Sequence, residues 1–330
     1  MNHNRYLLPL FMLIFVCTIM LSACSGGGAS TTPTATSPEA SPTTAAPTEG
    51  ATRTFDTAKG PVEIPQHPQR IVTDYYAGEV LSVGGNVIGA EPLAFDSPFM
   101  KDKLSGAQDV GAPINAEKVL ELQPDLIVVM YDESYEALSK IAPTVHIPYG
   151  TTKNIQETVE LFGDLVGEPD KAKEFLAEFD KKAAEGRERI KGIVDENTTV
   201  GLYELTDKGD LWIFNDNAGR GGQTVYNALG LKMPDKMAGQ DQTVQLSMEV
   251  LPDYAADYMF LTFYNPENNS DALEKLKGSP VWKNLDAAKN GRLFINDFDT
   301  FYRYDPIAVM AQIDLFVDML IEGSKQGSSN

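Results

Sequence analysis

Apolar and polar positions along the chain follow two alternating rhythms: short apolar runs of strand type, and longer stretches with helical spacing. The longest helical stretch is Glu168–Val194, where Phe175, Leu176, Phe179, Ala183, Ile190 and Val194 recur about once per turn and most other positions are charged. Pro169 occupies the first turn, where its missing N–H costs nothing. Glu168 and Asp170 lie at the start and Arg187, Arg189 and Lys191 near the end, as the helix dipole prefers. At ~1.5 Å per residue such a helix would span about 40 Å. Gly186 is its one weak position.

The same strand–helix alternation stands on both sides of this helix. Before it, Arg70–Asp74, Val87–Ala90, Leu126–Met130 and Thr144–Ile147 read as strands, with helices over Glu79–Val83 and Asn115–Leu122. After it, Thr198–Tyr203, Leu211–Phe214, Tyr258–Leu261 and Arg292–Asn296 read as strands. Gln223–Leu229 is helical, and Asp305-Pro306 opens a closing helix to Leu320, with Asp at the cap and Pro in the first turn. The expected fold is α/β: two Rossmann-like lobes, 53–167 and 195–325, joined by a single long interdomain helix, 168–194, with a short tail, 326–330. The alternative is one large domain carrying a long surface helix.

In open α/β sheets, ligands bind beyond the carboxyl ends of the strands. Tyr75, Tyr76, Tyr131 and Tyr149 fall at that edge of the first lobe. In the second lobe Trp212, Phe214, Tyr302 and Arg303 collect there, and Arg220 projects from the glycine-rich loop Asn215–Gly222. This loop lacks the spacing and the lysine of a P-loop. His146 lies mid-strand and reads as a core residue.

The N-terminus adds an export signal. An uncharged apolar run, Tyr6–Met20, follows Arg5 and precedes Leu21-Ser22-Ala23-Cys24. That tetrapeptide resembles the bacterial lipobox, which implies a signal peptide of residues 1–23 and a lipid on Cys24. Residues 25–52 are Ser, Thr, Ala, Pro and Gly with few charges, so 24–52 reads as a lipidated cysteine followed by a disordered tether.

Composition narrows the chemistry. The formal charge of −20 argues against nucleic acid or anionic lipid as ligand. Three histidines and two cysteines leave almost no stock for a protein-built metal site. No G-x-S-x-G elbow, metal-binding His pair or Ser/His/acid set stands out, so a binding module is favoured over an enzyme. One pattern recurs once per lobe: Glu117 with Asp125 eight residues on and then LIVVM, and Glu249 with Asp257 eight residues on and then YMFLT. Two matched surface acids would suit two matched basic sites on a symmetric partner.

Taken together, the lipobox-like start, PQRIV at 68–72, INAEKVLELQPDLIVV, the long helix and GSPVWKNLDAAKNGRLF at 278–294 resemble the substrate-binding lipoproteins of ABC importers. The similar group has one interdomain helix (class III) and carries iron–siderophores and cobalamin. NDNAGRGGQTVYNALGLKM at 215–233 and TFYRYDP at 300–306 are most similar to Gram-positive ferric-hydroxamate-binding lipoproteins. The resemblance implies that Arg220 contacts hydroxamate oxygens, that Trp212, Tyr149 and Tyr302 wrap the chelate, and that Glu117 and Glu249 dock onto arginines of a permease dimer served by a cytoplasmic ATPase. Tyr76, Tyr131, Phe214 and Arg303 complete the candidate pocket. The family commonly has tryptophan where this chain has Ala218, a change expected to remove a pocket wall. The resemblance implies no intrinsic cofactor: the ligand is an Fe(III)–siderophore complex whose iron the siderophore itself holds. Ferric trishydroxamates are near neutral and triscatecholates strongly anionic; with only Arg220 and Arg303 at the strand ends, hydroxamate or mixed citrate–hydroxamate is favoured. Catecholate siderophore, cobalamin or haem on the same fold, or a ligand-sensing lipoprotein, are the alternatives. A monomer, lipid-anchored on the outer face of the bacterial cell membrane, is expected.

Overall fold

The computed structural model describes residues 50–327. The expected signal peptide, Cys24 and nearly all of the expected tether lie outside the described residues. Among the described residues, no helix is long and apolar enough to cross a membrane.

Among the described residues, twelve strands form three sheets. A hairpin of β1 (Thr52–Thr57) and β2 (Gly60–Pro65) opens the described chain. Little in its apolar pattern marks it, because only Phe55 and Ile64 of its residues are buried. The first five-stranded sheet contains β3 (Ile71–Thr73), β4 (Val87–Ala90), β5 (Gln108–Asp109), β6 (Leu126–Val129) and β7 (Thr144–His146). All are parallel, in the order β5-β4-β3-β6-β7. Helices cover both faces, so β6 is buried at every position, as its unbroken apolar run requires.

The second sheet repeats this order with β8 (Val200–Thr206), β9 (Leu211–Phe214), β10 (Thr243–Leu246), β11 (Tyr258–Tyr264) and β12 (Leu293–Asp297), arranged β10-β9-β8-β11-β12. Here β8, β9 and β10 are antiparallel neighbours, and only β8, β11 and β12 run parallel. The link from Thr206 to Leu211 is too short for a helical crossover, so the chain turns back as a hairpin.

The repeated aspartates mark the equivalence of the two sheets. The Asp125 carboxylate accepts from the backbone N–H groups of Gln69 (2.7 Å) and Arg70 (2.8 Å), just before β3. Asp257 accepts from Thr199 N (2.8 Å), just before β8. Each therefore fixes the start of the central strand of its sheet. The glutamates differ in setting: Glu117 lies in the first turn of the Ala116–Leu122 helix, whereas Glu249 precedes only a single 3-10 turn, Leu251–Tyr254. Both are exposed.

The helix between the sheets runs Pro169–Arg189, six residues shorter than expected, five of them at its C-terminal end. Ile190 caps it, and Gly192 then takes a φ of +80°, through which a helix does not continue. A second element shares its role. The closing helix, Pro306–Gly327, places Val309 in the first-lobe core and Ile313, Phe316, Val317 and Leu320 in a second-lobe core. Phe179 of the first helix packs against both cores. Gly186 is the contact point between the two helices: an added Cβ would stand 2.9 Å from Ile313 Cγ2, 3.0 Å from Leu229 Cδ2 and 3.4 Å from Val317 Cγ2. Lys182 reaches Asp314 (2.6 Å), and Arg189 reaches Asp314 (2.9 Å) and Asp318, so ion pairs line the same seam. A second helix thus lies along the interdomain helix, and both touch the cores of the two lobes.

Candidate ligand-binding cleft

In the second lobe, strand alternation puts Trp212 and Phe214 on one face of β9, with Glu204 of β8 directly opposite Trp212. The Asn215–Gly222 loop then brings Arg220 back over this face. Its glycines have a packing reason. A Cβ at Gly219 would lie 2.3 Å from the Tyr302 carbonyl oxygen, and one at Gly221, whose φ is +101°, would lie 2.3 Å from the Phe316 ring. Between them Arg220 itself adopts a left-handed φ of +68°. Non-glycine residues held this way cost about 1–3 kcal/mol and concentrate at functional sites. The loop leads into a π-helix, Gln223–Ala228, a form likewise frequent at such sites.

The Arg220 guanidinium donates through Nε to Glu204 Oε2 (2.6 Å), and Nη2 reaches the same oxygen. Its Cζ lies 4.7 Å from the centre of the Phe214 ring, 4.9 Å from Tyr302 and 5.6 Å from Phe298. Phe298 stacks on Tyr302 at 4.5 Å, and Tyr264 lies 4.5 Å beyond Phe298. Burial raises the Glu204 carboxyl against the opposing pull of Arg220. The result is an aromatic shelf with one cation on it, whose charge is largely balanced by its own partner.

The first lobe supplies a tyrosine wall. Tyr75 meets Tyr131 at 6.4 Å and Tyr304 at 6.0 Å, and Tyr304 meets Tyr149 at 6.0 Å. Tyr131 and Tyr149 are about half exposed, at 53% and 47%. Burial raises both phenols, so both hydroxyls are protonated donors at neutral pH. Tyr149 donates to the Asn217 carbonyl across the lobes (3.0 Å). The backbone of the Tyr131 loop is held by Asp74, which accepts from Met130 N (2.8 Å) and Tyr131 N (3.1 Å). Beside Tyr131 lies a hollow of about 470 Å³ walled by Gly111–Ile114, Asp74, Glu133 and Ser134. A smaller cavity of about 30 Å³ between the lobes is lined by Tyr76, Glu79, Tyr149, Gln223 and Tyr304. Among the described residues, no cluster of three or more His, Cys, Asp or Glu is placed to hold a metal ion.

Comparison with known sequences gives the family. The family model described as periplasmic binding protein matches residues 104–300. The chain belongs to that family. It is 53% identical, over 99% of both chains, to the iron(3+)-hydroxamate-binding protein YxeB of Bacillus subtilis. It is 36% identical to the iron(3+)-hydroxamate-binding protein FhuD of the same organism, over 82% of this chain and 86% of that one. Among solved structures, FhuD2 of Staphylococcus aureus with bound ferrioxamine B superposes with a TM-score of 0.70 at 30% identity, covering 78% of this chain and all of that one. The two-lobed α/β fold is therefore that of the FhuD-type members of this family.

Within this frame the expected site residues separate into groups. Arg220, Phe214 and Tyr302 form one contact set; Trp212 is half-buried on the same strand face, and Tyr131 and Tyr149 stand exposed across from them. Tyr76 does not reach the cleft surface: it is 6% exposed, and its hydroxyl donates to the Ile147 carbonyl (2.6 Å), making it a floor residue. Arg303 does not present its charge to the cleft either. It is 2% exposed, and its guanidinium is fully engaged at the lobe junction. Ala218 is 3% exposed and packs within the second-lobe core. Glu204, Phe298 and Tyr304 belong to the site and were not anticipated. The signal for Glu204 was an acid continuing an apolar strand, immediately beyond the expected end of β8.

Proposed function

We propose that this chain captures a ferric siderophore of hydroxamate type in the cleft and delivers it to an ABC permease for iron uptake. The observation that carries the reading is Arg220, held in a left-handed turn over Phe214 and Tyr302 and facing a wall of protonated tyrosines. A hydroxamate siderophore fills the coordination sphere of iron, so the protein needs no metal ligands. It needs flat aromatic surface for the carbon skeleton and donors for partly negative oxygens. The Arg220–Glu204 pair is near neutral, and Asp74, Glu133, Asp297 and Asp299 add further acids around the strand ends. This field disfavours a highly anionic triscatecholate and tolerates a near-neutral trishydroxamate. The names of the two Bacillus relatives support the same class.

In this reading Cys24 carries the lipid that tethers the protein outside the cell, and the exposed Glu117 and Glu249 meet permease arginines. The chain carries ligand and performs no catalysis. The bridged helices keep lobe movement small. Uptake of radiolabelled iron as ferrioxamine B, in cells deleted for this protein, tests the transport role. Restoring the chain should restore uptake, and Glu117→Ala with Glu249→Ala should lower uptake while leaving binding intact. Unchanged uptake in the deletion strain would point to a ligand sensor instead.

A further inference from the structure

Arg303 sits where the second-lobe chain crosses to the first lobe, between the Phe298–Phe301 helix and the closing helix. Its Nη1 donates to Glu91 Oε1 (2.6 Å), its Nε to Asp305 Oδ2 (3.1 Å) and its Nη2 to the Tyr75 carbonyl (2.8 Å). The guanidinium carbon also lies 4.9 Å from the centre of the Tyr75 ring. Glu79, from the Ala77–Ser82 helix, completes the group. Gly78, its neighbour, has no side chain because a Cβ there would lie 2.2 Å from Asp305 Oδ1. Glu79, Glu91, Arg303 and Asp305 are all buried, at 2%, 4%, 2% and 2% exposure.

The charge count does not balance. One guanidinium faces three carboxyl groups in a place without solvent. Asp305 is committed, through Arg303 and through Ala308 N (3.0 Å). Glu79 Oε2 and Glu91 Oε2 are buried with no hydrogen-bond partner. An unpaired buried carboxylate costs several kcal/mol, and such a group takes up a proton instead. The other titratable groups facing the cluster offer no second cation. Tyr75, Tyr76 and Tyr304 are phenols raised by burial, and Asp74, which His146 influences, is a further acid. Glu79 also lines the small cavity that reaches Tyr149 and Gln223, which gives its proton a route in and out.

We propose that Glu79 holds a proton at this junction, that Arg303 is a positioning residue fixing Tyr75 and the lobe-to-lobe angle, and that loss of the Glu79 proton loosens the clamp. Ionised Glu79, on the first lobe, would oppose Asp305, at the start of the closing helix, across the seam between the lobes. Burial and then the Asp305 charge push Glu79 well above the usual carboxylate range. Burial pushes Glu91 up to about 7 and Asp74 up to about 6, from ordinary values of 4.5 and 3.8. All three carboxyl groups bind protons more tightly folded than unfolded. Their contribution to stability is therefore complete below the unfolded values and is lost as pH rises through the folded ones.

The melting and infrared measurements use the full-length protein without ligand, so they stand or fall apart from the transport reading. Between pH 5.5 and 8.5 the melting temperature of the wild type should fall by roughly 5 °C or more. In Glu79→Gln, which keeps the shape and removes the charge, the fall should be at most half as large, with a higher melting temperature than wild type at pH 8.5. Infrared spectra at pH 7 should show a protonated carboxylic C=O band that titrates away at higher pH and is weaker in Glu79→Gln, where Glu91 still contributes. With ferrioxamine B as probe, wild-type affinity should drop several-fold across this range and stay nearly flat in Glu79→Gln. Arg303→Lys should recover more of the affinity than Arg303→Met. An equal pH slope in wild type and Glu79→Gln overturns the proposal. So does the absence of a protonated carboxyl band in the wild type at pH 7, a result that needs no variant to fold.

Discussion

Two arginines from the same lobe meet carboxylates here in opposite ways. Arg220 is part-exposed and bonded to one acid, and it lies on aromatic faces at the edge of a cleft. Arg303 is sealed from water, bonded to two acids and a carbonyl, and has a third acid nearby. The first has hydrogen-bonding capacity within reach of a ligand. The second has all its directions taken by the fold. The difference comes from where each chain segment crosses. The Arg220 loop returns over its own sheet, whereas the Arg303 segment crosses to the other lobe and is buried by it. A charged residue at a strand end is thus a binding group in one case and a fastening in the other.

Substitutions should separate these roles, and the largest effect belongs to Arg303. Arg303→Met leaves Glu91, Asp305 and Glu79 without a cation, so unfolding by denaturant should show a loss of about 3–5 kcal/mol. A loss below 1 kcal/mol would break the comparison. Next, Arg220→Ala removes a charge-assisted donor worth about 1.5–3 kcal/mol to the ligand. Calorimetry with ferrioxamine B should show binding weaker by roughly tenfold to a hundredfold. Relief of the left-handed φ at position 220 is not part of this change, since alanine is strained there too.

Smaller effects sharpen the picture. Glu204→Gln leaves the Arg220 charge unbalanced, so the affinity for an anionic ferric triscatecholate should rise by roughly threefold to tenfold relative to that for ferrioxamine B. An unchanged ratio in competition titrations would show that the Arg220–Glu204 pair does not set ligand charge. Tyr149→Phe removes the hydroxyl bonded to Asn217 across the lobes, and should cost about 0.5–1.5 kcal/mol of ligand affinity with little change in unfolding.

The elements that could be read in the sequence were those whose signal is local. The apolar run of β6, the Asp305-Pro306 helix start and the glycine-flanked Arg220 all depend on neighbours within a few residues. The features that escaped it depend on distant partners. Gly186 looked like a weak point because its reason lies on the closing helix, over a hundred residues away. Arg303 looked free because Glu91 and Glu79 come from the other lobe. Tyr76 looked like a pocket wall because nothing local shows that Ile147 accepts its hydroxyl. Glycines 219 and 221 likewise serve Tyr302 and Phe316, neither of which is near in sequence.

Under the proposed function, the cleft around Arg220 takes a ferric hydroxamate. The two tryptophans make this directly measurable, because Trp212 lies half-buried on the cleft face of β9 while Trp282 is buried at 6% exposure in the core. Fluorescence titration of the wild type with ferrioxamine B, a ferric triscatecholate and cobalamin should give saturable quenching by the hydroxamate, and quenching at much higher concentration, or none, by the other two. Tight, saturable binding of the triscatecholate or cobalamin with none of the hydroxamate would contradict the account and remove Arg220 from the role given to it.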